Sequence, residues 1–212
     1  MNNWRQIFSE DILVPRRIEE RDNNRLKSVQ RLLQQTRIEG DLDLEDVPIT
    51  NLGNIEYVGG TLDLQDTKVS SLGNLKFVGG DLNLEDTPIT NLGNLNYVGG
   101  DLFLEYTPIT NLGNLKSVGG DLFLEGALIT NLGNLKSVGG YLSARNTQIT
   151  SLGKLKSIGG DLDLENTSIT SLGNLKSVGG YLDLQNTPIA KMLKPQKQEI
   201  LRNVKISGRV YL

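Results

Sequence analysis

The chain of 212 residues contains neither cysteine nor histidine. Without cysteine it has no disulfide, no thiol nucleophile and no cysteine metal site, which is compatible with a reducing compartment. Without histidine it lacks the commonest general base and the commonest metal ligand. Aromatic residues make up only 5% of the sequence. This scarcity is typical of a core that is built from layers of leucine and isoleucine.

Signals for export and for membrane insertion are also lacking. Residues 1–17 show no basic start followed by an apolar run, so they do not resemble a secretory signal. No apolar stretch approaches the roughly 20 residues that a membrane-spanning helix needs. We therefore expect a cytoplasmic protein that has no membrane partner.

Charge is distributed unevenly behind a net charge of -3. Residues 1–38 contain eight basic and five acidic residues, residues 39–190 contain eight and nineteen, and residues 191–212 contain six and one. An acidic body with basic ends would repel phosphates along its length. The pattern disfavours nucleic acid as a partner of the central part and favours a basic protein.

A 20-residue unit, GDLNLEDTPITNLGNLNYVG from Gly80 to Gly99, recurs head to tail from Gly40 to Gly179. An eighth copy begins at Gly180 and stops following the pattern after Ala190. A fixed period of this length predicts a solenoid, because one coil cannot bury its apolar side without its neighbours. We number the coil positions 1 to 20 from the first Gly. Positions 3, 5, 10, 13, 16 and 19 should face inward. In this copy they are Leu82, Leu84, Ile89, Leu92, Leu95 and Val98.

Each coil begins with an alternating D-L-D-L-E segment, which predicts a short strand with leucines inward and acids outward. Strands one coil apart must run parallel, so the array should form a parallel sheet. The later L-G-N-L-K-S-V segment predicts a turn-rich, 3₁₀-like return rather than a full helix. A Gly-Gly pair closes the coil. Its second glycine recurs even where the first is replaced by Glu39 or Ser207, which places the tighter steric demand on the second.

The two ends depart from the repeat, which predicts three regions. Residues 1–38 should form an amino-terminal arm and a helical cap, in which residues 23–35 carry one apolar helix face. Residues 39–190 should form the solenoid of eight coils, the last incomplete. Residues 191–212 should form a carboxy-terminal cap, with a helix over 195–204 and a terminal strand over 209–212.

The motif L-x-L-x-x-T-x-I, present as Leu82, Leu84, Thr87 and Ile89, resembles the L-x-L-x-x-N-x-L core of leucine-rich repeats. The resemblance covers residues 38–190 and the last strand, and near-identical short coils are similar to bacterial or bacteriophage repeat proteins. It implies a right-handed α/β solenoid whose parallel strands line a binding side. The asparagine of the motif is replaced by threonine in most coils and by Val47 and Ala127 in two.

Three consecutive coils depart from the acidic outward pattern, and these departures give the candidate partner-binding residues. Aromatic residues and arginine exposed on a rigid sheet are typical of protein-binding hot spots. The candidate residues are Phe103, Glu105, Tyr106, Phe123, Glu125, Tyr141, Ser143 and Arg145. Drift after duplication is the alternative, in which Phe103 and Phe123 only stack on each other and Arg145 only relieves repulsion between Glu125 and Glu165. In coil six, Ala144 replaces a core leucine, which predicts locally loose packing.

We therefore expect a non-enzymatic protein-interaction module that needs no cofactor and no metal. Recurrent carboxylate columns favour a solvated acidic face over a calcium site, because no ion-binding loop accompanies them. One alternative is a structural or assembly protein, of phage origin in one version, that contacts its partners through the caps and the 1–22 arm. Another is a carbohydrate-active β-helix enzyme. In the alternating strands, carboxylate pairs at glycosidase distances recur in nearly every coil and so single out no catalytic pair.

Overall fold

Each coil lies directly against the same residues of the next coil. In the computed structural model, which describes residues 26–212, Leu82 is paired with Leu102 and Leu102 with Leu122, always in parallel. Residues that are 20 positions apart in the sequence therefore lie about 4.8 Å apart in the structure, at the spacing of neighbouring strands. The result is a parallel β-solenoid of about seven complete turns, as the repeat predicts.

Two parallel sheets, each of nine strands of two residues, run along the solenoid. Sheet one comprises β1 (Arg37–Ile38), β3 (Tyr57–Val58), β5 (Phe77–Val78), β7 (Tyr97–Val98), β9 (Ser117–Val118), β11 (Ser137–Val138), β13 (Ser157–Ile158), β15 (Ser177–Val178) and β17 (Lys205–Ile206). Sheet two comprises β2 (Leu42–Asp43), β4 (Leu62–Asp63), β6 (Leu82–Asn83), β8 (Leu102–Phe103), β10 (Leu122–Phe123), β12 (Leu142–Ser143), β14 (Leu162–Asp163), β16 (Leu182–Asp183) and β18 (Val210–Tyr211).

Sheet two is the predicted sheet, whereas sheet one is a second face that the sequence did not predict. The return segment is turn-rich and contains no helix between residues 39 and 190, as expected, but it ends in a strand at positions 18 and 19. The predicted terminal strand is also present, since β18 pairs with β16. Isolated bridges between coils at position 12, such as Asn131 with Ser151, mark a third side.

The core is the predicted stack of apolar layers. Leu82, Leu84, Ile89, Leu92, Leu95 and Val98 are all fully buried, and the equivalent residues of the other coils are buried with them. The threonine at position 8 is also buried, and its hydroxyl donates to the carbonyl of position 5, for example from Thr87 to Leu84 at 2.6 Å. The threonine thus satisfies a main-chain carbonyl inside the coil.

The Gly-Gly pair forms the corner between the two sheets, where neighbouring coils approach most closely. A Cβ on Gly119, the first glycine of its pair, would collide with the carbonyl oxygen of Gly99 in the preceding coil. A Cβ on Gly120, the second, would meet the carboxylate of Asp101 and would also come within 2.9 Å of the backbone carbonyl carbon of Gly100. Backbone atoms of the preceding coil therefore restrict both positions. In the last coil, Ser207 takes the place of the first glycine and Gly208 keeps the second. The expectation that the second position is the stricter one stays a prediction.

Helical segments lie at both ends of the described chain. Residues 26–32 form α1. Its Val29 is buried in the core, and its Leu26 packs against the core. Lys194–Leu201 forms α2, with Pro195 in its first turn and Ile200 against the core. The predicted 1–22 arm lies outside the described residues. Within residues 26–212, neither helix has the length and apolar character that crossing a bilayer requires.

Candidate functional site

Three aromatic side chains form a continuous row on sheet two. Strand pairing places Phe103 beside Phe123, and their rings stack with centroids 5.1 Å apart and planes 8° apart. Tyr141 meets Phe123 edge-on at 6.0 Å. Because the two phenylalanine rings face each other across the coils, their edges rather than their faces are turned outward. We call Phe103, Phe123 and Tyr141 the aromatic row.

The aromatic row replaces side chains that stabilise the backbone in the other coils. At position 4, Asp63, Asn83 and Asp163 each accept a hydrogen bond from the backbone N–H two residues later. A phenylalanine side chain cannot accept that bond. Coils four and five therefore replace a local turn interaction that their neighbours keep with the stacking of Phe103 on Phe123.

Tyr106 extends the apolar surface past the end of the strand. Its side chain is 63% exposed, and its backbone has a φ of 56°, at a position where the other coils have Asp, Asn or Gly. The tyrosine ring lies over Gly126, where a Cβ would come within 2.8 Å of the ring. The loss of a side chain in coil five thus makes room for Tyr106. Leu128, which follows Gly126 in coil five, is another exposed apolar side chain, at 58%.

Glutamates occupy position 6 between the aromatic row and Tyr106. We call Glu85, Glu105 and Glu125, from three successive coils, the glutamate row. The Oε2 atom of Glu105 is buried and has no hydrogen-bond partner among the described residues. Burial raises the pKa of Glu105, and the neighbouring charges of Glu85 and Glu125 raise it further. The centre of the candidate site therefore holds a partly desolvated acceptor that lacks a donor.

Arg145 lies beside this centre but is directed toward the next coil. Its guanidinium is 2.6 Å from a carboxylate oxygen of Glu165 and 4.0 Å from one of Asp163. Asp163 also accepts from the hydroxyl of Tyr141 at 3.4 Å. Arg145 therefore neutralises Glu165, one of the two glutamates that it was expected to pair with. The other, Glu125, instead accepts a hydrogen bond from the side-chain amide of Asn146. Ser143 pairs with Phe123 on the neighbouring strand and is only 6% exposed.

The carboxylates of Asp163, Glu165 and Asp183 are close enough together to hold a cation. Two of these three residues already interact with the guanidinium of Arg145. Asp163 in addition accepts the backbone N–H of Glu165. Arg145 therefore supplies the positive charge that this cluster needs, and the cluster has no feature that calls for a metal.

A second row of stacked rings lies on sheet one, and sequence reasoning missed it. Tyr57 and Phe77 stack at 4.8 Å, Phe77 and Tyr97 stack at 5.0 Å, and the guanidinium of Arg37 lies 3.7 Å above the Tyr57 ring. The available signal was position 18, which is aromatic in coils one to three and serine in coils four to seven. The pattern of that segment predicts a turn, which gives no reason to expect neighbouring coils to align their side chains there.

No protein-family model and no curated protein sequence matches the chain. The similarity to leucine-rich repeats therefore rests on the L-x-L-x-x-T-x-I motif, the 20-residue period and the stacked solenoid.

Proposed function

We propose that this protein is a non-enzymatic interaction module that binds a basic protein partner on sheet two. The contact surface comprises the aromatic row, Tyr106, the glutamates Glu105 and Glu125, and the neighbouring Ser143 and Arg145. The observation that carries the proposal is the buried Oε2 of Glu105, which has no donor within the described chain. A lysine or arginine of a partner would supply that donor, and exposed aromatic side chains around it would exclude water.

Two features of the surface favour a protein over a carbohydrate. Sugar rings pack on the faces of aromatic side chains, whereas Phe103 and Phe123 use their faces against each other. A glycosidase needs two carboxyl groups with distinct environments. Among the described carboxyl groups, Glu105 has a raised pKa, and the cause is burial among like charges rather than a matched partner. These arguments support a binding role over the carbohydrate-active alternative.

The architecture fits the same proposal. We propose that the solenoid is a right-handed array of the leucine-rich-repeat type, that residues 1–38 and 191–212 act as its caps, and that the protein works in the cytoplasm. The packing of Val29 and Ile200 against the terminal layers of the core supports the capping role. A rigid array of this kind presents side chains at fixed spacing, which lowers the entropic cost of binding.

The test is quantitative capture of proteins from a lysate of the source organism with two matched double variants. Phe103→Asn with Phe123→Asn introduces the side chain that Asn83 has at the same position, and should abolish capture. Tyr57→Ser with Phe77→Ser removes an equal stack from sheet one, using the residue found at Ser117, and should leave capture unchanged. Equal capture by all three proteins would contradict the proposal. Capture that is lost only on deletion of residues 1–22 would instead favour the assembly role.

A further inference from the structure

Four lysines at position 17, immediately before strands of sheet one, form a row. The backbone N–H groups of Lys136, Lys156 and Lys176 each donate to the carbonyl of the preceding lysine at 2.8 Å, which stacks them coil upon coil. The members of this lysine row are Lys116, Lys136, Lys156 and Lys176. All four are exposed, and none has an ion pair within the described part of the chain. Four positive charges therefore lie in line, about one strand spacing apart.

Such a row is unfavourable in an isolated molecule, because like charges on adjacent strands repel each other. The same column shows how this repulsion can be avoided. In coils one and two it holds Glu56 and Lys76, which form an ion pair at 2.7 Å, and in coil three it holds Asn96. The unpaired lysines are confined to coils four and later. The repulsion between the lysines of the row is not compensated within the described chain. An anionic partner whose charges repeat at the spacing of the coils would compensate it.

The chain itself carries such a set of charges. The glutamate row on sheet two lies on successive coils of the same solenoid, so its carboxylates repeat at the same interval as the lysines. Duplex DNA has a different spacing, because each of its strands carries one phosphate per about 3.4 Å of helix axis. The match in spacing and the opposite sign favour a second copy of this chain over a nucleic acid.

We propose that the lysine row of one copy binds the glutamate row of a second copy, side by side. This inference rests on the proposed function of sheet two, since it names the basic partner of that surface. Exposed ion pairs are individually weak, but rows on two rigid solenoids form several pairs at once. Because a different face is used on each copy, the contact does not have to close and can continue to a third copy. Association should therefore increase with concentration and decrease with salt.

Sedimentation velocity of the purified full chain tests this proposal over a range of concentrations. The wild type should form larger species at about 0.01 M salt and be monomeric at about 1 M, as the screening length falls from about 30 Å to about 3 Å. Lys136→Glu, Lys156→Glu and Lys176→Glu together give the lysine variant. Glu85→Lys, Glu105→Lys and Glu125→Lys together give the glutamate variant. Each variant alone should stay monomeric at low salt, and a mixture of the two should restore association.

A matched control separates the lysine row from net charge. Lys68→Glu, Lys191→Glu and Lys194→Glu make the same change in net charge away from the row, and this control should associate like the wild type. A wild type that is monomeric at every concentration and salt would overturn the proposal, as would a mixture that fails to associate. Binding of inorganic polyphosphate to the row of a monomeric wild type would overturn it in favour of an external polyanion. These measurements use only this chain, so a negative result would overturn self-association without deciding whether sheet two binds another protein. The capture experiment tests that second question separately.

Discussion

Replacing Glu105 by glutamine should stabilise the protein at neutral pH, although it removes a charged side chain from an acidic surface. The carboxylate is partly buried, lacks a donor to Oε2, and lies between Glu85 and Glu125 on adjacent coils. A glutamine keeps the shape and removes the charge. Its amide can also donate to the neighbouring carboxylates.

The expected gain follows from the two causes of the raised pKa. An unsatisfied buried acceptor costs roughly 1–3 kcal/mol when it is fully desolvated, and partial exposure of Glu105 places the cost at or below the lower end. Each neighbouring charge at about 5 Å adds about 0.8 kcal/mol of repulsion in a water-like dielectric, and less where the side chains diverge. We therefore expect Glu105→Gln to increase the free energy of unfolding by about 1–2 kcal/mol at pH 7.

The gain should depend on pH in a defined direction. Because the pKa of Glu105 is raised above its ordinary value of 4.5 in the folded state, the folded protein takes up this proton before the unfolded chain does. The penalty is present in full above the folded-state pKa and disappears as the pH falls below the unfolded value. The advantage of Glu105→Gln should thus be largest at neutral pH and lost at about pH 4.

Urea unfolding at several pH values, followed by circular dichroism, measures the difference. Glu125→Gln is the matched control, since Glu125 already accepts a hydrogen bond from Asn146 and should gain little from losing its charge. A Glu105→Gln protein that is less stable than the wild type at pH 7 would refute the reasoning. An equal gain at pH 4 and pH 7 would show that charge is not the cause.

Three further substitutions test the packing of the coils by thermal or urea unfolding. Gly119→Ala and Gly120→Ala should each lower the free energy of unfolding by several kcal/mol, because the added Cβ meets backbone atoms of the preceding coil. An unchanged stability in either variant would contradict the close approach at this corner. Ala127→Thr should increase the free energy of unfolding by about 1 kcal/mol, because its hydroxyl can donate to the carbonyl of position 5 as in the other coils. An unchanged free energy of unfolding would mean that this hydrogen bond contributes little. Ala144→Leu should increase the free energy of unfolding by about 1–3 kcal/mol, because it fills the space expected in coil six. A decrease would show that neighbouring side chains already fill that space.

Much of the fold could be predicted because one physical requirement repeats in every coil. A leucine at position 3 has to cover the same position of the next coil, so the period alone fixes the pairing of Leu82 with Leu102. The second sheet was not predictable in the same way. Its strands, such as Ser117–Val118, are two residues long, too short for an alternating pattern to be recognised.

Side chains of the candidate site were predictable as a group but not in their individual contacts. Deviation from the repeat identified Phe103, Phe123 and Tyr141, and strand pairing brings them together. The direction of Arg145 toward Glu165 depends on side-chain geometry that a repeat pattern does not encode. The buried oxygen of Glu105 depends in the same way on how its neighbours pack. Tyr57, Phe77 and Tyr97 were missed because they lie on the unpredicted sheet.

The central claim is that the aromatic row of sheet two contacts the partner and that the aromatic stack of sheet one does not. Site-specific photocrosslinking tests it most directly, with p-benzoylphenylalanine in place of Phe123 or in place of Phe77. Each of these rings lies between aromatic neighbours of adjacent coils, so the probe replaces a similar side chain in both cases. In the presence of the partner, we predict a crosslinked product from position 123 and none from position 77. Equal crosslinking from both positions, or crosslinking from position 77 alone, would contradict the account.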